Sequence, residues 1–199
     1  MKQDDIKILD HQVAYQGFFK LERYHLSHRL FNGDWSPPLT RELFERGHAA
    51  AVLPYDPVRD EIVLIEQFRI GAIHSNEGAW LIEIVAGVIE AGETAEDVAR
   101  REALEESGCP LQQLEPICTY YVSPGGTSEQ LRLFCGRVDA SLADGIHGCS
   151  EEGEDIRVFT VSFPEAMNMI SDGRINSASP IIAIQWLAIH RDRLRSIWQ

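Results

Sequence analysis

The chain predicts an α/β protein, a mixed β-sheet sandwiched by helices, with a small β-rich appendage at its N-terminal end. Three observations carry that expectation: short apolar runs repeated through the middle of the chain, a capped glutamate-rich helix among them, and two further helical segments near the end. With 199 residues, 44% hydrophobic and 25% charged, the sequence can bury one substantial core.

From Ile6 to Phe31 the chain reads as β-rich, and the alternation Phe19-Lys-Leu-Glu-Arg-Tyr-His-Leu26 predicts a half-buried strand. The segment Asn32-Gly-Asp-Trp-Ser-Pro-Pro38 breaks it, because paired prolines exclude helix and Asn-Gly favours a turn. A boundary near residue 45 follows, with residues 1–45 as the appendage and 46–199 as the main domain. Strands are then expected at Ala49–Leu53, Ile62–Phe68, Trp80–Val85, Ile117–Val122, Leu131–Val138 and Ile156–Val161. One late helix begins at Ser162-Phe-Pro-Glu165 and stops by Gly173; another opens at Ser179-Pro180 with Ile182, Trp186 and Ile189 as its apolar stripe.

A net charge of -13 argues against a nucleic-acid partner, since phosphate backbones call for clustered Lys and Arg, but a small phosphate ester fits if cations mask the carboxylates. The opening MKQDDIKILD lacks the basic and apolar regions of a signal peptide, and no apolar run reaches the ~18 residues of a membrane span, so the expectation is a cytoplasmic protein without a membrane partner. Cys109, Cys118, Cys135 and Cys149 show no C-x-x-C pairing and read as reduced thiols. The seven histidines, among them His11, His25, His28 and His48, show no ligand spacing.

The chemistry lies in residues 87–109, GVIEAGETAEDVARREALEESGC, a glycine loop running into a helix capped by Thr94 with Asp97 three residues on, and stopped by Gly108. Glu102 and Glu106, at i and i+4, share a face with Ala95, Val98 and Ala99, and Glu105 lies at its edge. Like charges at that spacing repel by ~0.2 to 0.5 kcal/mol, and burial adds to the cost, so a cation belongs between them. Carboxylate oxygens suit a hard ion, Mg²⁺ or Mn²⁺. The residues alone leave open a solvated helix face neutralised by Arg100 and Arg101, the latter well placed for Glu105.

The whole string resembles the signature of the Nudix hydrolases, G-x5-E-x7-R-E-U-x-E-E-x-G-U with U an apolar residue, at each fixed position: Gly87, Glu93, Arg101, Glu102, Glu105, Glu106 and Gly108. Chance agreement at average residue usage is on the order of 10⁻⁹ per window, which removes coincidence as an explanation. Within that family the chain is similar to bacterial ADP-ribose pyrophosphatases from about Gly17 to the last helix, including the segment Tyr121-Val-Ser-Pro-Gly-Gly-Thr-Ser-Glu129, whose Pro124 stands fifteen residues past Cys109.

The resemblance implies a Nudix α/β/α sandwich that cleaves a nucleoside diphosphate sugar, ADP-ribose first, to AMP and ribose 5-phosphate. It implies two or three Mg²⁺ ions held by Ala86 through its carbonyl, Glu102, Glu106 and Glu154, with Glu105 contributing, and Glu152 as general base. For the substrate it implies Phe18, Phe19, Arg41, Glu42, Arg46, Arg69, Val88, Ser123, Gly125 and Glu129. It further implies a homodimer in which the N-terminal β element, Phe18, Phe19, Ser123, Gly125 and Glu129 reach the second subunit's site. Gln16 departs from the Arg expected before Gly17. Two alternatives remain at this point: another substrate such as ADP-glucose or GDP-mannose, and a non-catalytic ADP-ribose sensor. The retained glutamates and the lack of a basic helix-turn-helix segment disfavour the sensor.

Overall fold

The computed structural model describes residues 3–149, 151 and 153–198 and divides into two compact units. One unit runs to His48 and takes in Tyr120–Gln130; the other comprises Ala49–Thr119 and Leu131 onward.

The first unit is built on an antiparallel sheet in the order β1 (Ile6–Gln16), β2 (Lys20–His28), β3 (Leu39–Glu45). Along β1 every residue is exposed, including Ile6, Ile8, Leu9, Val13 and Tyr15. Strand β2 forms where the alternation placed it, but its two buried residues are polar, Glu22 and Ser27, and Leu21 and Leu26 are only half-buried. Glu22 accepts hydrogen bonds from Lys20 at 2.6 Å and the Tyr24 hydroxyl at 2.7 Å, and those donors hold its carboxyl down at about 2. Phe18 and Phe19 sit in the turn between β1 and β2, not on a strand as the alternation suggested.

The second unit holds an eight-stranded mixed sheet made of β4 (Ala49–Asp56), β5 (Glu61–Phe68), β6 (Trp80–Glu83), β7 (Val85–Val88), β8 (Gln113–Tyr121), β9 (Gln130–Arg137), β10 (Gly145–His147) and β11 (Ile156–Ser162). The main path is β10-β11-β5-β4-β9-β8, with β4 and β9 parallel. The single strand expected at Trp80–Val85 is two: β6 pairs with β5, and past Ile84 the chain crosses to pair β7 with β4. This is possible because β4 and β5 are bonded only at Tyr55↔Ile62 and Asp56↔Glu61, where the hairpin begins, and then diverge. The short β10 carried no sequence signal, being three residues with a glycine.

Every residue of β4 is buried, the pattern of a strand covered on both faces. Ala50 and Val52 meet the helix α1 (Ala95–Ser107) through Val98, Ala99 and Ala103. Ala51, Leu53 and Tyr55 alternate to the opposite face, and α3 (Ala178–Ile197) packs against β4. The stripe that α3 buries is Pro180, Ala183, Ile184, Leu187 and Leu194; Ile182 and Trp186 are half-buried and Ile189 is 80% exposed. The expected stripe was thus displaced around the helix, since bulk alone does not reveal that Ala183 faces the sheet. Helix α2 (Phe163–Ser171) starts as its sequence indicates, with Ser162 accepting from the Glu165 N–H at 3.3 Å.

Candidate active site

Helix α1 is fixed at both ends. Thr94 and Asp97 form a reciprocal capping box, and Gly108 ends the helix in the left-handed region at φ 67°. Between these stops, residues four apart stack on one face, and the face that carries Val98 and Ala99 into the core carries Glu102 and Glu106 with it. Glu106 is only 3% exposed, and its Oε2 accepts the Ala86 N–H at 3.0 Å. Glu102 lies against Gly87, where a Cβ would fall 1.9 Å from its Oε1, so only glycine lets β7 and α1 approach this closely.

Arg101 organises the surrounding carboxylates, donating to Glu93 at 3.2 Å, Glu102 at 2.7 Å and Glu105 at 3.2 Å. The i, i+4 pair with Glu105 was legible in the sequence; the link to Glu93, eight residues back, depends on the loop's path.

Burial pushes the Glu106 carboxyl up to about 8; the Ala86 N–H and Arg69 oppose this, and the charges of Glu102 and Glu154 add to it. Burial likewise raises Glu102, against Arg101, with Glu105 and Glu154 adding repulsion. Glu102, Glu106 and Glu154 thus lie in one field, each with its own donor: Arg101, the Ala86 N–H and the Cys149 N–H at 3.0 Å. Among the described residues no three His, Cys, Asp or Glu side chains converge on one point. Buried, mutually repelling oxygen donors of this kind suit a hard divalent cation.

Arg69 follows β5 and donates from Nε to Glu83 at 2.7 Å. Val88, at the end of β7, is 48% exposed. Glu152 lies outside the described residues. Glu83 and its neighbour Gln67 were missed in the sequence; the available signal was a polar residue inside each of two apolar strands.

The remaining expected residues belong to the first unit. Phe18 is 96% exposed, while Phe19 packs edge-on against Phe44 and lies under Arg46, 5.4 Å from the guanidinium carbon. Arg46 pairs with the buried Glu129 at 3.5 Å, and Glu42 accepts from Arg23 at 3.0 Å. Arg41 is bound to its neighbour's carbonyl, Thr40 O, at 2.8 Å. Ser123 and Gly125 form the turn Ser123–Gly126, in which the Gly126 N–H meets Ser123 O at 3.0 Å and Gly126 O receives the Phe44 N–H at 2.8 Å.

The NUDIX domain family model matches residues 45–177, and the chain belongs to that family. It is 50% identical over 196 residues to the ADP-ribose pyrophosphatase of Escherichia coli strain K12, covering 98% of this chain and 94% of that protein. Similarity extends to the ADP-ribose pyrophosphatase of Haemophilus influenzae, 43% identical over 99% of this chain and 92% of that protein. A GDP-mannose pyrophosphatase of Pectobacterium atrosepticum is 34% identical over 90% of this chain and 92% of that protein. A solved structure described as an ADP compounds hydrolase shares the fold at TM-score 0.72 and 20% identity, over 96% of this chain and 95% of that one.

Proposed function

We propose that this chain is a divalent-metal-dependent hydrolase that splits the pyrophosphate of ADP-ribose into AMP and ribose 5-phosphate. The observation that carries the reading is the buried Glu106 stacked beside Glu102 on α1 and within the field of Glu154, a carboxylate set that is costly to hold without a cation. Glu102, Glu106, Glu154 and the Ala86 carbonyl would hold Mg²⁺ or Mn²⁺, two or three ions, with Glu105 at the edge. Bound there, the metal supplies charge neutralisation for the pyrophosphate and acidifies a water.

The chain's own residues do the rest. Glu152 orients that water and takes its proton. Arg69 and Val88 line the diphosphate and its ribose, with arginine's forked donors suited to phosphate oxygens. Residues 1–45 serve as dimerisation and substrate-contact region and 46–199 as the hydrolase domain. Phe18 and Phe19 stack on adenine, and Arg41, Glu42, Arg46, Ser123, Gly125 and Glu129 bind polar groups. The exposed Ile8, Val13 and Tyr15 of β1 support a homodimer, because exposed apolar side chains on a three-stranded sheet invite a second copy to cover them. We place the protein in the cytoplasm; no described helix is long and apolar enough to cross a membrane.

The test is turnover of ADP-ribose, ADP-glucose and GDP-mannose with Mg²⁺ and with EDTA, products resolved by ion exchange. ADP-ribose is expected to give AMP and ribose 5-phosphate fastest, and EDTA to abolish it. Faster GDP-mannose cleavage overturns the substrate assignment; binding of ADP-ribose without cleavage overturns the enzyme.

A further inference from the structure

The contact between Arg69 and Glu83 carries a role that the family signature does not include, since both residues lie outside residues 87–109. Glu83 projects from β6 opposite Ile65 of β5, so Gln67, two residues along β5, is its diagonal neighbour on the same face. Gln67 is 5% exposed and points Nε2 at Glu83 Oε2, 3.5 Å away. The same Oε2 accepts Arg69 Nε at 2.7 Å. The Glu83 side chain is 14% exposed and that of Arg69 43%, so the carboxylate forms the buried floor and the guanidinium the accessible end.

Arginine is a planar fork, and fixing Nε fixes the plane in which the two terminal nitrogens point. Among the described residues those nitrogens have no hydrogen-bond acceptor. They are therefore available to donate to a bound anion, and the Arg69 side chain is 43% exposed. A carboxylate tethering the Nε edge of an arginine whose far end is accessible is an arrangement for presenting two N–H groups to an anion.

We propose that Glu83, supported by Gln67, is a positioning residue that locks the Arg69 guanidinium in the orientation needed to meet a substrate phosphate. This rests on the reading of Arg69 as a substrate contact. Free rotation of Arg69 would lower ground-state and transition-state binding alike, so the effect falls on KM more than on kcat.

The experiment is steady-state kinetics on ADP-ribose with Mg²⁺ for the full chain carrying Arg69→Ala, Glu83→Ala, Glu83→Gln and the Arg69→Ala/Glu83→Ala pair, with thermal midpoints in parallel. Glu83→Ala is expected to raise KM roughly 5- to 20-fold, inside the wider span seen for residues in direct contact, with kcat within about twofold. Glu83→Gln, which keeps an acceptor oxygen, should recover most of the loss, and Glu83→Ala should add nothing to Arg69→Ala. Should the alanine variant unfold, Glu83→Leu fills the same strand position and carries the same cycle. If Arg69→Ala raises KM and Glu83→Ala does not, the positioning role is wrong while the arginine contact stands. Additive effects in the double variant also overturn the positioning role. An unchanged KM in Arg69→Ala overturns both.

Discussion

Strands β1 and β4 carry comparable apolar content and opposite fates: each residue of β4 is buried, and each residue of β1 is exposed. In β4 the chain supplies covers for both faces, α1 on one and α3 on the other. In β1 the apolar side chains of Ile6, Ile8, Leu9, Val13 and Tyr15 are left uncovered. If β1 meets a second copy as proposed, the difference separates stability from assembly. One region is ordered around its own core; the other presents its apolar side chains to solvent.

The largest effect should come from the site built on the buried region. Glu106→Gln is expected to reduce turnover by more than the ~100-fold typical of residues that merely support metal ligands. It should also change the pH dependence of stability. Burial raises the Glu106 carboxyl from 4.5 to about 8 in the metal-free fold, so its contribution is intact below pH 4.5 and lost as pH rises toward 8. In EDTA, melting of wild type should therefore fall relative to Glu106→Gln between pH 5 and 8, and added Mg²⁺ should close the gap. A constant offset between the two melting curves would show that burial is not what perturbs this carboxylate.

Next in size, Leu64→Ala in β5, fully buried, should lower stability by ~2–5 kcal/mol in urea titrations, the usual cost of an emptied core site. Gly108→Ala should cost about 1–2 kcal/mol from the left-handed backbone alone, and more if His147 cannot move, because a Cβ there lies 2.8 Å from that ring. The smallest stability change, within ~0.5 kcal/mol, is expected for Ile8→Asp with Val13→Asp on β1. That pair should instead shift the mass measured by light scattering from two chains to one. A stability loss as large as that of Leu64→Ala, with the mass unchanged, would dissolve the contrast.

What the sequence disclosed followed from local periodicity and end signals. Thr94, Asp97, Gly108 and Ser162 marked their helices because a cap is a property of three or four consecutive residues. The face shared by Val98, Ala99, Glu102 and Glu106 followed from the helical repeat. Features needing long-range partners were less readable. The crossing at Ile84 depends on where β4 and β5 separate, and the burial of Ala183 in place of Ile189 depends on which face of α3 meets the sheet. Glu22 looked like the solvent side of its strand, yet Lys20, Tyr24 and His11 enclose it. Glu83 was equally hidden, since its arginine lies fourteen residues away in sequence.

The crossing at Ile84 has a mechanical consequence. Residues 80–88 are stitched first to β5, which ends beside Arg69, and then to β4, whose partner Ala86 donates to Glu106. The end of β5 that leads into Arg69 and the residue Ala86 are consequently linked through two hydrogen-bonded ladders inside one sheet. If Arg69 meets phosphate as proposed, the sheet, and not the closing of a loop, joins the strand that leads into that arginine to the Ala86 N–H that holds Glu106.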